Sequence, residues 1–121
     1  MSELSDYRKM RILLMFDLPS VEKEDISINQ KFVKELKKIG FYMLQYSVYT
    51  RNITNHSEYE RINMKVRKII PNKGNIIIIK ITDKQYNDMI YLRGEKNKYD
   101  MIVGSNNVVY IVGANDWIKD K

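Results

Sequence analysis

Met10-Arg11-Ile12-Leu13-Leu14-Met15-Phe16-Asp17-Leu18-Pro19 is the stretch that decides the fold, because it predicts a strand that is apolar on both faces. Side chains alternate across a sheet. One face carries Met10, Ile12, Leu14 and Phe16, and the other carries Arg11, Leu13, Met15 and Asp17. Proline has no amide hydrogen and cannot extend the pairing, so the strand should end at Asp17. An ionisable group at the end of an apolar strand is a candidate functional residue.

Two helices and two further strands follow from the patterning. Ser27 lies three residues before Gln30, and this spacing is typical of a capping box at the start of a helix. The helix that follows Ser27 should end at Gly40. Its apolar face comprises Ile28, Phe32, Leu36 and Ile39. Residues 41–50 alternate as one strand, a loop covers 52–55, and a second capping box at 57–60 opens a helix. That helix places Tyr59, Ile62, Val66 and Ile69 on one side.

The last part of the chain begins with the strongest strand signal. Residues 75–82 contain four consecutive isoleucines, and Thr82 or Asp83 should cap a short helix. Short strands are expected at 101–103 and 108–112. The order of elements favours an α+β class, with a ferredoxin-like βαββαβ sandwich, a C-terminal strand and a tail. We expect a domain over 1–113 and a tail over 114–121.

Bulk composition excludes several classes of site. The chain has 121 residues, no cysteine and one histidine. Disulfides, thiolate nucleophiles, cysteine-ligated zinc and multi-histidine metal sites are therefore excluded. A net charge of +6 suits a polyanion-binding surface. No apolar run reaches the roughly 20 residues of a membrane helix, and residues 1–9 lack a secretory signal. We therefore expect a cytoplasmic protein that does not associate with a membrane.

A two-layer sandwich leaves one sheet face without helices, and apolar residues are expected there. The residues assigned to that face are Leu13, Met15, Met43, Ile76 and Ile78. Monomers rarely expose an apolar patch of more than a few hundred Å². The pattern therefore predicts a homodimer with a two-fold axis, with Asp17 at the rim of the interface.

A pair of Asp17 carboxylates, one from each subunit, offers two hard oxygen ligands to Mg²⁺. Such an ion activates water and stabilises the leaving oxygen of a phosphodiester. Asp17 is thus the candidate catalytic and metal-binding residue. The alternative is that this aspartate only caps the turn at residues 18–19.

Polar and basic residues supply the remaining candidates. Gln45 and Ser47 share a strand face and could position a phosphate or make ordinary interface hydrogen bonds. The basic residues expected to follow a phosphate backbone are Arg11, Lys31, Lys34, Lys38, Arg93 and Lys96, although charged helix faces are also typical of plain solvated surface.

Four segments together resemble the CRISPR-associated protein two family, the small subunit of spacer acquisition, in its type II form. They are residues 15–19 (Met-Phe-Asp-Leu-Pro), 45–49 (Gln-Tyr-Ser-Val-Tyr), 73–75 (Lys-Gly-Asn) and 89–97 (Met-Ile-Tyr-Leu-Arg-Gly-Glu-Lys-Asn). The resemblance implies a ferredoxin-like homodimer that bridges two dimers of the CRISPR integrase and holds the incoming DNA. It also implies metal-dependent endonuclease activity on RNA or double-stranded DNA, with the family's aspartate at Asp17.

This sequence departs from the family pattern beside the aspartate. Phe16 stands where many members have tyrosine, and Lys23 is the only basic residue soon after it. These departures weaken the nuclease hypothesis more than the bridging one. Under the bridging hypothesis Trp117 and Ile118 would anchor the integrase, the alternative being a frayed terminus. A small ligand-sensing regulatory domain of the same fold is a third hypothesis, but no glycine-rich ligand loop supports it.

Overall fold

A computed structural model describes residues 9–94 and shows the predicted βαββαβ order, followed by a short helix. The elements are β1 (Met10–Asp17), α1 (Lys23–Ile39), β2 (Tyr42–Gln45), β3 (Val48–Ile53), α2 (His56–Arg67), β4 (Asn75–Thr82) and α3 (Asp83–Asn87). The chain divides into two compact units, residues 1–88 and 89–121, and all of these elements belong to the first. The strands predicted at 101–103 and 108–112, and the boundary predicted at 113, lie outside the described residues.

The four strands form one antiparallel sheet in the order β2-β3-β1-β4. β1 has exactly the predicted bounds and lies inside the sheet, where it pairs with β3 on one side and β4 on the other. Helices cover one face of this sheet, and the other face is apolar. A strand inside such a sheet needs apolar side chains on both of its faces, and the sequence of β1 has them.

The core lies between the sheet and helices α1 and α2. Ile12 and Leu14 of β1 are fully buried there, together with Phe32, Leu36, Phe41, Tyr49, Ile53, Ile62 and Val66. The rings of Phe16 and Phe32 meet edge to face with centroids 5.4 Å apart. Burying each large apolar side chain stabilises the fold by about 1.5–3 kcal/mol, so this layer supplies most of the stability.

The single strand predicted over 41–50 is wrong, because this segment is a hairpin. β2 ends at Gln45 and β3 begins at Val48. Ser47 adopts a φ of 65°, and it is the one non-glycine residue with positive φ in the described part of the chain. Residues 52 and 53, predicted as loop, complete β3. The hairpin thus provides two strands where the sequence predicted one, as the βαββαβ order requires.

Both long helices start before their predicted capping boxes. The backbone N–H of Glu22 donates to the Asp25 carboxylate at 3.3 Å, so α1 begins four residues before Ser27. Asn55 caps α2, since its side-chain oxygen accepts from the N–H of Glu58 at 2.8 Å. The predicted end of α1 is confirmed at Gly40, whose φ is 107°. No helix in residues 9–94 is long and apolar enough to span a membrane.

The assignment of side chains to the helix-free face is partly wrong. Residues directly opposite each other in an antiparallel pair share a face. Leu13 and Met15 lie on the helix-free face as predicted, but their partners on β4 are Ile79 and Ile77. Ile76 and Ile78 pack against the core instead. Met43 is opposite the buried Tyr49 and therefore lies on the helix side, at the edge of the sheet.

Candidate functional site

Asp17 lies at the end of β1, exposed, where the sheet runs into the turn at Pro19. Its Cα partner on β4 is Asn75. The backbone around Asp17 is held from the side by Gly74, which has a φ of 91°. A Cβ atom on Gly74 would lie 2.6 Å from the carbonyl oxygen of Asp17 and 2.7 Å from a methyl carbon of Leu18. Only glycine suits this close approach, so the turn before β4 fixes the position of the Asp17 backbone.

The β2–β3 hairpin tip lies against the other side of this strand end. The N–H of Phe16 donates to the carbonyl oxygen of Ser47 at 3.0 Å. Gln45 is opposite Val48, which in turn is opposite Met15, so all three share the helix-free face. The structure therefore brings Gln45 and Ser47 to the same end of the sheet as Asp17. Ser47 contributes its backbone carbonyl to the sheet and sits in the turn, not in a strand.

An apolar strip adjoins this end of the sheet on the helix-free face. It consists of Leu13, Met15, Val48, Ile77 and Ile79. Ile77 and Ile79 are 59% and 45% exposed, which is unusual for two isoleucines on neighbouring positions of one face. Neither residue was predicted to lie on this face, because a run of four isoleucines has no alternation of polar and apolar residues that would mark a face.

Asp17 is a single carboxylate within one copy of the chain. No group of three metal-ligating side chains occurs among residues 9–94. Mg²⁺ is commonly bound by one or two carboxylates together with water and substrate phosphate oxygens. One exposed Asp17 from each of two copies would fit that donor set, whereas a complete all-protein metal cage would need ligands that the described chain does not bring together.

Arg11, which was predicted to contact nucleic acid, is buried in the structure. It is only 1% exposed, and its guanidinium donates to the Tyr42 hydroxyl at 2.7 Å and pairs with Asp83 at 3.4 Å. The ring of Tyr86 on α3 covers it, with 3.8 Å from the guanidinium carbon to the ring centroid. α3 thus closes one end of the helix-free face over Arg11, at the opposite end of β1 from Asp17.

The predicted lysines of α1 are exposed on the helix layer. They are Lys31, Lys34 and Lys38, of which Lys38 pairs with Glu35 at 3.1 Å. This layer covers the face of the sheet opposite the apolar strip. Arg93 is exposed within the second unit, and Lys96, Trp117 and Ile118 lie outside the described residues. Within the first unit, the lysines of α1 therefore lie on the side of the sheet opposite the apolar strip.

Known proteins share both the sequence and the fold. The family model for CRISPR associated protein Cas2 matches residues 10–89. A protein of Ligilactobacillus salivarius named CRISPR-associated endoribonuclease Cas2 is 40% identical over 89 residues, which cover 74% of this chain and 88% of that protein. A protein of the same name from Streptococcus mutans serotype c is 40% identical over 88 residues, covering 73% of this chain and 81% of that protein.

A solved structure described as a crystal structure of cas2 superimposes with a TM-score of 0.53 at 16% sequence identity. The match covers 74% of this chain and 91% of that one. At this identity the superposition supports the fold alone. The family-model match over residues 10–89 includes the strand that carries Asp17, the hairpin and the turn at Gly74.

Proposed function

The chain belongs to the CRISPR associated protein Cas2 family, and we propose that it acts as a dimeric, nucleic-acid-binding subunit of CRISPR spacer acquisition that bridges two integrase dimers. The observation that carries this proposal is the apolar strip on the helix-free face. A bridge needs two equivalent ends, and a two-fold dimer supplies them.

The strip favours pairing between two copies through this face. Leu13, Met15 and Val48 are half-buried, and beside them Ile77 and Ile79 are exposed. Covering apolar surface contributes about 25 cal/mol per Å². A contiguous strip of this kind on a single chain is typical of a protein interface.

Replacing Ile77 by glutamate tests the dimer. The carboxylate would be placed in the middle of the interface, and burying an unpaired charge is strongly unfavourable. Light scattering should therefore report a dimer for the wild-type chain and a monomer for Ile77→Glu. Val21→Glu is the matched control, because Val21 is an exposed apolar residue outside the sheet and the variant should remain dimeric. A wild-type chain that scatters as a monomer at micromolar concentration would refute the dimer and, with it, the bridge.

The bridging role has its own test. The wild-type chain should co-purify with the integrase and a duplex DNA, in a complex whose mass accounts for two integrase dimers. The monomeric Ile77→Glu variant should bind at most one. Equal complex mass for both variants would contradict bridging through the dimer.

A second candidate function is phosphodiester cleavage, favoured by the exposed Asp17 and by the endoribonuclease name of the relatives. Two Asp17 carboxylates related by the dimer axis would hold one Mg²⁺, which supplies an activated water and stabilises the leaving oxygen. This chain's own contribution is to fix the two carboxylates, through Gly74 on one side and the Ser47 carbonyl on the other.

Asp17→Asn separates the two functions. Cleavage of RNA in Mg²⁺ should be lost, whereas the dimer and the integrase complex should persist. Mixed dimers report whether the ion is shared: in an equal mixture after subunit exchange, activity should fall to about one quarter for a shared ion and about one half for independent sites. Unchanged cleavage by purified Asp17→Asn would assign the activity to other residues.

A further inference from the structure

The one histidine of the chain belongs to a surface cluster on the helix side of the sheet. Lys80 of β4 is opposite the buried Ile12 of β1, and residues opposite each other in an antiparallel pair share a face. Lys80 therefore extends toward the helix layer, where His56 begins α2. The Nζ atom of Lys80 lies 2.9 Å from the Nδ1 atom of the His56 ring.

The partners of the His56 ring determine its protonation state in this arrangement. A lysine ammonium has donors only, so Nδ1 of His56 accepts from Lys80. The other ring nitrogen, Nε2, lies 3.1 Å from a carboxylate oxygen of Glu60, one helical turn further along α2. An ionised carboxylate only accepts, so Nε2 carries the proton and donates it. The ring is thus neutral, with its lone pair toward Lys80 and its N–H toward Glu60.

Tyr59 holds the two other rings of contact in place. Its side chain packs against the hydrophobic core, stacks on the His56 ring with centroids 5.9 Å apart and lies 5.0 Å from the Nζ atom of Lys80. The cluster nevertheless remains open to water. Lys80 is half-buried, and the side chains of His56 and Glu60 are 64% and 67% exposed. A small reagent in solution can therefore reach Lys80 beside the imidazole.

A carboxylate, an imidazole and a nucleophilic atom, in contact in this order, are the arrangement that activates nucleophiles for acyl transfer. The carboxylate orients the ring, and the ring accepts the proton that the nucleophile loses. Neither function proposed above uses these three residues. Lys80 is opposite Ile12, toward the other end of β1 from Asp17.

We propose that Lys80 is a site of acylation by acyl phosphates, with His56 as the general base and Glu60 as the residue that positions it. An acyl phosphate suits a cluster on the surface, because it is small and carries its own leaving group.

The reaction begins when the Lys80 ammonium loses one proton to water. The Nζ lone pair then attacks the acyl carbon and forms a C–N bond, while the C–O bond to phosphate breaks and its electron pair leaves on inorganic phosphate. Nδ1 of His56 takes the second proton from Nζ and later releases it to water. Nothing is oxidised or reduced. The product is a neutral amide, which lowers the net charge of +6 by one.

Incubation of the folded chain with acetyl phosphate, followed over time by mass spectrometry of its peptides, tests the proposal. Lys84 is the internal control, since it is exposed and contacts the Asp88 carboxylate at 3.4 Å rather than the imidazole. Lys80 should be acetylated about tenfold faster than Lys84. This is below the roughly 100- to 10,000-fold that a positioned general base contributes to catalysis, because the cluster is exposed to solvent. Equal rates at the two lysines would overturn the proposal.

Substitutions on α2 separate the base from the residue that positions it. His56→Gln keeps a polar side chain at an exposed position but removes the base, and should lower the Lys80 rate to that of Lys84. Glu60→Ala should lower the rate in part. Glu60→Gln should restore it, because the amide oxygen accepts the same hydrogen bond from Nε2. Unchanged acetylation of Lys80 in His56→Gln would refute the general base, even if Lys80 remained the fastest lysine.

The wild-type chain provides a second test that needs no substitution. Among residues 9–94, the titratable groups in contact with His56 are Lys80 from β4, and Tyr59 and Glu60 from its own helix. Histidine side chains change charge between about pH 8 and pH 5, and an imidazolium cannot accept a proton from Nζ. The ratio of Lys80 to Lys84 acetylation should therefore fall on acidification from about pH 8 to about pH 6. Taking the ratio cancels the loss of free amine that both lysines share, so a constant ratio would overturn the proposal. Either result leaves the Asp17→Asn and Ile77→Glu experiments unaffected.

Discussion

Replacing Gly74 by alanine should destabilise the protein and impair Asp17 at the same time. Two effects add at this position. A φ of 91° places an alanine in the left-handed region, which costs about 1–2 kcal/mol. The new methyl group would also lie 2.6 Å from the carbonyl oxygen of Asp17, and relieving such an overlap costs about 1–3 kcal/mol more. The expected loss in the free energy of unfolding is therefore about 2–5 kcal/mol.

Gly94 provides the matched control for the backbone term. Its φ is 96°, close to that of Gly74, yet a Cβ there would meet no atom of residues 9–94 within 4 Å. Gly94→Ala should cost only the conformational strain. The difference between the two variants isolates the contact with the strand end that carries Asp17.

Urea unfolding followed by circular dichroism measures both variants. A lower midpoint with an unchanged slope would report lost stability without a change in the surface exposed on unfolding. The RNA cleavage proposed for Asp17, measured at a temperature where Gly74→Ala is still folded, should also fall, because the methyl group would displace the Asp17 backbone. Equal midpoints for Gly74→Ala and Gly94→Ala would refute the reasoning, since the close approach would then carry no energy.

Two further predictions concern buried and paired charges. Arg11→Met removes the ion pair with Asp83 and should lower the free energy of unfolding, measured by urea titration, by about 2–3 kcal/mol. This is less than the cost for a fully buried pair, because Asp83 is 26% exposed. Lys84→Met is the control: it breaks only an exposed pair and should change the free energy of unfolding by less than about 1 kcal/mol. The N–H of Thr54, together with Arg51, holds the pKa of Glu58 below its ordinary value of 4.5. The ionised Glu58 side chain therefore makes its full contribution to the stability of the fold above pH 4.5, and this contribution is lost as the pH falls through the lower pKa of the folded state. On acidification below about pH 5, the urea midpoint of Glu58→Gln should therefore decline less than that of the wild-type chain.

The bounds of β1 and β4 were predictable because local chemistry sets them. Pro19 terminates the first strand, and the turn that ends at Gly74 opens the other. The apolar faces of both long helices followed equally well from their 3.6-residue period. These features depend on neighbours in the sequence.

The hairpin and the residues of the helix-free face could not be predicted, because each lacks the local signal that would mark it. The turn at Tyr46 and Ser47 contains no glycine, asparagine, aspartate or proline, and a single serine is only a weak turn signal. In β4 the isoleucine run lacks polar residues that would mark the solvent side. Only the register with β1 assigns Ile77 and Ile79 to that side.

Arg11 shows that the contacts of an ionisable residue cannot be predicted from the sequence of its own strand. One of its partners, Tyr42, lies more than 30 residues away in the chain. The other two, Asp83 and Tyr86, lie more than 70 residues away. Alternation placed Arg11 on the helix-free face correctly. Nothing in the local sequence indicated that α3 would cover it.

β4 is one of the two edge strands of the sheet described for residues 9–94, and its outer side carries backbone groups that no described strand pairs with. An eight-residue edge with four successive isoleucines has the composition of a segment that forms amyloid-like stacks. Variants that weaken the proposed dimer would in addition leave Ile77 and Ile79 of this strand uncovered, so we expect them to aggregate more readily than the wild-type chain. For such a chain, the proposed dimer would protect solubility as well as function.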